Sequence, residues 1–532
     1  MGFKNTSISF EETGQFSKAF TDYINGEKYL LPFYQYAPSI EGFKKFIQEQ
    51  TFPGVNRELL VKVLKERYSK TASEATAKNI ELLKEKNTFT VTTGHQLCLF
   101  TGPLYFIYKI VTAINLAESL KKDFPSHNFV PVYWMASEDH DFAEINHAYL
   151  FSKKVEWSGD SISGGPVGRI STHTLAPVID GLYTIMGESD KANELKKIIA
   201  EAYSGGKTLA EATFIFVNAL FGKYGLVILE PDNTELKKLF LPVITDELIN
   251  QSSFRCVSDT DAKLSKAGVE PQVHAREINL FYINEQGRNR IEKQGANYTV
   301  VNTSLTFTAE QITAEAKNHP EKFSPNVLLR PVYQQTILPN IAYIGGPAEV
   351  IYWLQLKAIF DYHKTAFPVI MPRNFAMIID KGTAGRMDKL KLTEKNIFGD
   401  ADELVKNYIA ANDGAINFDS EKDKLKKIYD ELSEKVKTID STLTSSVEAE
   451  LQKQYNALKV LETKLIRAQK QKDEASVNQV KKIKEKLFPE SSLQERHDNF
   501  IPSYIQYGTA FFDLLKKELN PLHYSMVVLK EE

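Results

Sequence analysis

The sequence predicts an α/β protein built on a doubly wound parallel sheet, with connecting inserts and an inserted α-helical coiled-coil arm. Short apolar runs of strand length alternate with helical patterns, as in repeated strand–helix–strand units. Most of those runs are continuously apolar, as strands covered on both faces are. A Lys/Glu-rich stretch at 381–487 instead keeps a 3–4 apolar spacing with almost no aromatics.

Residues 1–87 read as helical: Phe43, Phe46 and Ile47 share one face, as do Leu59, Leu60, Val63 and Leu64. Phe89 to Thr92 is the first strand, ending at Gly94. Pro103 then takes the first position of a helix whose apolar arc runs from Leu104 to Leu120. Phe129 to Ala136 is the second strand, followed by an acidic turn and a helix. Gly225 to Leu229 is a third, stopped by Glu230-Pro231-Asp232, and Val327 to Leu329 reads as another. Ala342 to Ile344 breaks at Gly345-Gly346-Pro347 and leads into a helix over 347–363. Pro368 to Met371 closes the series. In the arm, Leu425, Ile428, Leu432, Val436, Ile439 and Leu443 repeat at 3–4 spacing, as do Val447, Leu451, Tyr455, Leu458, Leu461 or Glu462, and Leu465. Gln469 to Ser476 reads as a turn into a return helix carrying Val477, Val480, Ile483 and Leu487. Tyr524 to Leu529 is a last strand that returns to the sheet. The domains are therefore 1–380, 381–487 and 488–532.

Composition narrows the function classes. The chain has 532 residues, two to four domains at ~150 each. Hydrophobic residues make up 42%, enough for a sizeable core, so wholesale disorder is excluded. Lys plus Arg is 65 against 68 for Asp plus Glu, so nucleic acid is not the default partner. No apolar run is long enough to span a membrane, and the first residues lack a secretory apolar region. Gly2 and Thr6 fit the loose myristoylation pattern, which chance matches often. Two cysteines, Cys98 and Cys256, rule out a disulfide framework or an all-Cys metal cluster and suit a reducing cytoplasm.

In doubly wound sheets, ligands sit outside the carboxyl ends of the strands, so the loops there should hold the chemistry. The first is Thr93-Gly94-His95-Gln96. A glycine-opened loop ahead of a helix offers free N–H groups to an anion, with His95 as donor; the same pattern also suits a tight turn with a capping His. The second is Ser137-Glu138-Asp139-His140-Asp141, with Glu144, Asn146 and His147 beyond. Adjacent carboxylates repel, which favours acid–base or cation-binding use over a merely solvated loop. His140 and His147, seven apart, share a side if a helix runs through. No strong metal signature such as H-E-x-x-H occurs, and no metal ligand is assigned. The third joins Arg330, Tyr343, Gly345, Gly346 and Glu349. The glycine pair allows close backbone approach, and Glu349, inside an apolar helix, must be paired or functional. Ser204 to Thr208 resembles the end of a phosphate-binding loop, but Glu201 stands where its first glycine belongs. Lys263 to Ala267 resembles K-M-S-K-S but falls within a helical stretch.

Taken together, the motifs resemble one family, the cysteine-adding ligases of bacillithiol biosynthesis. The matching blocks are T-G-x-Q to F-T-G-P-L-Y at 93–105, V-x-W-x-A-S-E-D-H-D-F at 132–142 and N-H at 146–147. P-V-G-R-I at 166–170, P-Q-V-H at 271–274, L-R-P-V to Y-I-G-G-P-A-E at 329–349 and L-Q-E-R at 493–496 follow in order. The resemblance implies a Rossmann-like nucleotidyltransferase core with a coiled-coil domain. It also implies amide formation between L-cysteine and the amino group of glucosaminyl-malate, with ATP, together with Mg2+, activating the carboxylate as an adenylate. Gly94-His95 matches only the second half of the H-I-G-H signature of class I adenylate-forming enzymes, since Thr92 replaces its first His. The expected catalytic residues are His95, Asp139 and His140. Gly94, Gln96, Glu138, Asp141, His147, Arg330, Tyr343, Gly345, Gly346 and Glu349 are expected to bind substrate. The arm is expected to make a homodimer, because a narrow apolar stripe cannot bury itself. The competing reading is a non-catalytic dimeric nucleotide-binding scaffold.

Overall fold

The computed structural model describes residues 2–69, 71–158, 164–413 and 418–532. Its centre is a five-stranded sheet: β1 (Thr88–His95), β2 (Asn128–Met135), β3 (Val227–Leu229), β4 (Asn340–Gly345) and β5 (Val369–Pro372). All pairings are parallel and the order is β5-β4-β1-β2-β3. The strand order reverses between β1 and β4, the switch point at which such sheets open a crevice.

β1 is buried along its length although half of it is threonine. Thr90 and Thr92 donate to Asn340 Oδ1 (3.1 and 2.7 Å), and Thr93 to the Ile344 carbonyl (3.0 Å). Buried hydroxyls are tolerated when bonded in this way. Helix α1 (Leu104–Asp123) follows, buried over most of its surface, with Pro103 one place earlier than expected, at the N-cap. Helix α2 (Arg330–Ile337) leads into β4, and α3 (Pro347–Trp353) leaves it. The helix expected over 347–363 is broken: α3 ends at Trp353 and a second helix starts at Lys357.

Several expectations are corrected. The N-terminus is not all helical, since Phe3–Ile8 is a strand antiparallel to Met526–Glu531. That last strand runs parallel to Phe375–Ile379, so the C-terminus returns to a separate three-stranded sheet rather than to the central one. The L-Q-E-R block joins the two sheets. Glu495 pairs with Arg373 (2.6 Å) and accepts from Ala376 N–H, while Gln494 accepts from Ile378 N–H. Val327 to Leu329 is not a strand: Asn326 Oδ1 accepts from the N–H groups of Leu328 and Leu329 and turns the chain into α2. The strand nearby is Phe323–Pro325, on the edge of an antiparallel insert with Leu280–Asn284, Gly287–Gln294, Asn297–Val300 and Thr306–Phe307.

In the arm, α4 (Asp419–Lys437) and α5 (Thr444–Lys472) form an antiparallel hairpin, and α6 (Glu474–Leu487) turns back. The return helix is not the main partner of α5. α6 buries Val477, Val480, Ile483 and Leu487 and packs on the helix at 401–413, leaving α5 to the earlier α4. The two-helix hairpin cannot cover its own stripe: Ile428, Leu432, Leu461 and Leu465 are each more than 40% exposed, at 53, 41, 50 and 45%. No described helix is long and apolar enough to cross a membrane.

Candidate active site

A cavity of about 810 Å3 opens where the carboxyl ends of β1, β2 and β4 meet the antiparallel insert. The strand-end loops supply Gly94, His95, Gln96, Glu138, Asp139, Tyr343 and Glu349, and α2 supplies Arg330. His95 and Asp139 therefore open on the same space, and Gln96 links their loops. Its Nε2 donates to Asp139 Oδ2 and to Glu144 Oε2, both at 2.7 Å. One amide thus holds two carboxylates side by side at the cavity face.

Glu349 is paired, as its place in an apolar helix required. Lys109 Nζ lies 2.5 Å from Glu349 Oε2 and donates to the Gly94 carbonyl at 2.9 Å. The Tyr343 hydroxyl and the Gly346 N–H donate to the same carboxylate (2.8 and 2.7 Å). Burial pushes the Glu349 carboxyl up, but the Lys109 ammonium and these donors outweigh it and hold it below the usual carboxylate range. Gly345 and Gly346 lie outside the cavity and seat Glu349: a Cβ on Gly345 would stand 3.0 Å from that of Glu349.

His95 is pushed down to about 3 by burial and by Lys109, so it is a neutral ring at physiological pH. A pH–rate profile between pH 5 and 9 is accordingly expected to lack a His95 inflection; a bell-shaped limb removed by His95→Asn would contradict this. Glu138 is buried in an ion pair with Lys237, which also donates to the Phe323 carbonyl. Burial raises its carboxyl against the pull of Lys237.

The other candidates lie elsewhere. Helix Phe142–Ile145 has only four residues, with Asp141 as its cap accepting from Glu144 N–H (3.2 Å). His147 begins the hairpin strand His147–Leu150 and bonds its neighbour Asn146 (3.0 Å), outside the cavity. His140 and His147 therefore do not share a helix. His140 instead lies 3.1 Å from Arg288 Nη1 and lines a smaller cavity of about 380 Å3. P-V-G-R-I braces the acidic loop: Gly168 N–H donates to the Ser137 carbonyl, and a Cβ on Gly168 would fall 2.5 Å from that of Ser137. Arg169 grips Asp232 with two hydrogen bonds.

Sequence reasoning missed Lys109 and the insert arginines, and gave Glu144, part of the acidic block, no role of its own. Lys109 had a signal, as the lone charge early in an apolar helix. Arg288 and Arg290 had a weaker one, alternating along a strand.

Comparison with known proteins assigns the family. The description "Bacillithiol biosynthesis BshC, N-terminal Rossmann-like domain" matches residues 3–374, and "Bacillithiol biosynthesis BshC, C-terminal coiled-coil domain" matches 376–531. The chain belongs to the BshC family. It is 42% identical to the "Putative cysteine ligase BshC" of Flavobacterium psychrophilum, over 98% of this chain and 99% of that one. It is 43% identical to the protein of the same description in Flavobacterium johnsoniae, over 98 and 99%. As a member, the chain is a ligase-family protein of bacillithiol biosynthesis with a Rossmann-like core and a coiled-coil domain.

Neither cysteine of this BshC-family chain lines the cavity. Cys98 lies 3.8 Å from His95 Nε2, but burial pushes its thiol up to about 12. Burial raises Cys256 as well. A thiol held neutral is a poor nucleophile. The Cys98→Ala, Cys256→Ala double variant is expected to keep its ligation activity, measured as thiol product by mass spectrometry; complete loss with an unchanged circular dichroism spectrum would contradict this.

Proposed function

We propose that the cavity joins L-cysteine to glucosaminyl-malate, in the cytoplasm, by an amide bond, with ATP as cosubstrate. The observation that carries the reading is the pair Asp139 and Glu144, held by one Gln96 amide at the switch point of a BshC-family core. The new bond joins the cysteine carbonyl carbon to the glucosaminyl nitrogen as the bond from that carbon to its ATP-activated oxygen breaks, the oxygen leaving on the nucleotide-derived phosphate, and the attacking amine must be neutral. Asp139 and Glu144 bind the ammonium, and Asp139 takes its proton. The neutral His95 N–H and the Arg330 Nη2 group, which is buried without an acceptor among the described residues, suit an oxygen that gains charge as the bond forms. ATP supplies the activation of the carboxylate. No group of three His, Cys, Asp or Glu able to hold a metal gathers among the described residues. Titration calorimetry with ATP, L-cysteine and glucosaminyl-malate tests the reading. Each ligand should tighten with the others present, whereas independent binding would favour a scaffold.

The arm's uncovered stripe supports a homodimer through the coiled coil, the two-fold pairing being the commonest closure. Light scattering at micromolar concentration is expected to give twice the chain mass, falling to one chain when 419–472 is replaced by a short linker. A single-chain mass for the intact protein would contradict it.

A further inference from the structure

The cavity wall opposite the strand-end loops is basic. Arg288 and Arg290 lie two apart on strand Gly287–Gln294 and both line the cavity, as does Arg276 just before Leu280–Asn284. None of the three forms an ion pair among the described residues. Arg288 is only 8% exposed. Its Nε donates to Ser324 Oγ (3.0 Å), its Nη2 to the Pro325 carbonyl (3.0 Å), and its Nη1 lies 3.1 Å from His140 Nδ1. Its guanidinium stacks on the Phe281 ring, 3.8 Å from the centroid. These partners are neutral, His140 included, because burial and Arg288 itself lower its basicity. Glu138 and Asp139 attract the guanidinium from beyond ion-pair reach without offsetting its burial, and a buried guanidinium with no carboxylate in contact is costly unless an anion completes it. The cavity's own carboxylates are committed elsewhere: Glu349 to Lys109, Glu138 to Lys237, and Asp139 and Glu144 to Gln96. Arg330 adds an independent sign, since its Nη2 is buried in the same cavity with no acceptor among the described residues.

We infer that the insert wall formed by Arg276, Arg288 and Arg290 is a subsite for a group carrying two negative charges, with Arg288 setting its specificity. The inference rests on the function proposed above, under which the malyl end of glucosaminyl-malate, with its two carboxylates, is that group. Guanidinium forks match paired oxyanions. The substrate would then lie across the cavity, its amine at Asp139 and Glu144 and its dicarboxylate on the insert. The same chemistry would also hold nucleotide phosphates, so the test separates the two.

Arg276 and Arg290 are exposed, so their replacement should leave the fold intact, which thermal melting checks. The full-length Arg276→Ala, Arg290→Ala double variant is titrated calorimetrically with malonate, pyrophosphate, glucosaminyl-malate and L-cysteine. The expected result is roughly tenfold or greater weakening for malonate and glucosaminyl-malate, with L-cysteine unchanged. Weakening of pyrophosphate alone would overturn the malyl assignment and give the arginines to phosphates. Unchanged affinity for every anion would overturn the subsite. Wild-type protein that binds malonate through these arginines but ignores glucosaminyl-malate would sink the proposed reaction and leave the subsite standing.

Discussion

Replacing Glu349 with alanine is expected to cost the fold about 3 kcal/mol and to lower ligation by about 10²-fold or more. Lys109 is the cause of both effects. Its side chain is 4% exposed beneath the strand ends, and Glu349 is its one carboxylate partner within 4 Å among the described residues. Removing the carboxylate leaves a buried ammonium uncompensated and frees the Tyr343 hydroxyl and the Gly346 N–H. The cost falls at the lower end of the usual range because Glu349 is 24% exposed and water can enter. Denaturant unfolding measures the first effect and product formation the second. The Lys109→Met, Glu349→Gln double variant is expected to recover much of the stability, since no charge remains unpaired, without recovering activity. The pair also sets an acid limit. The Glu349 carboxyl is depressed in the folded state, so its contribution is complete above the unfolded carboxylate value of ~4.3 and is lost as pH falls through the folded value. Unchanged stability in Glu349→Ala would mean the pair does not form.

Asp139→Asn is expected to reduce kcat by about 10² to 10⁴, the range for a lost general base, with a much smaller change in KM. Asparagine keeps the size of the side chain and can still accept from Gln96, so the loop should stay in place. Glu144, held by the same amide, should retain much of the ammonium binding. A rise in KM with kcat intact would make Asp139 a binding residue only.

The strands that carry the site were legible because β2 and β4 are largely apolar runs and β1 is rich in β-branched residues, each ended by glycine or an acid: β1 at Gly94, β2 before Glu138, β4 at Gly345. Their order was not, because pairing between β1 and β4 depends on contacts such as Thr92 to Asn340, which leave no local pattern. The N-terminal strand escaped for the same reason, as Phe3 pairs with Glu531 at the other end of the chain. Glu349 was recognisable as a carboxylate in need of a partner, but Lys109 could be named only once α1 and α3 were brought together over the sheet. His140 and His147 were misplaced because helical spacing was read through a segment that Asp141 caps and that ends at Asn146 after one turn. The insert was illegible because most of its strands are short and the strand Gly287–Gln294 is largely polar, so no apolar run marked it. In the arm, periodicity identified the helices but not their neighbours, since a 3–4 stripe fits any facing helix.

The most direct test of the account is single-pot synthesis: purified protein with L-cysteine, glucosaminyl-malate and ATP, followed by mass spectrometry of the thiol-labelled products. The account expects the cysteinyl amide of glucosaminyl-malate, made by the wild type and strongly reduced in Asp139→Asn. Product formed at equal rates by both proteins, or no product from wild-type protein that binds all three ligands, would contradict it.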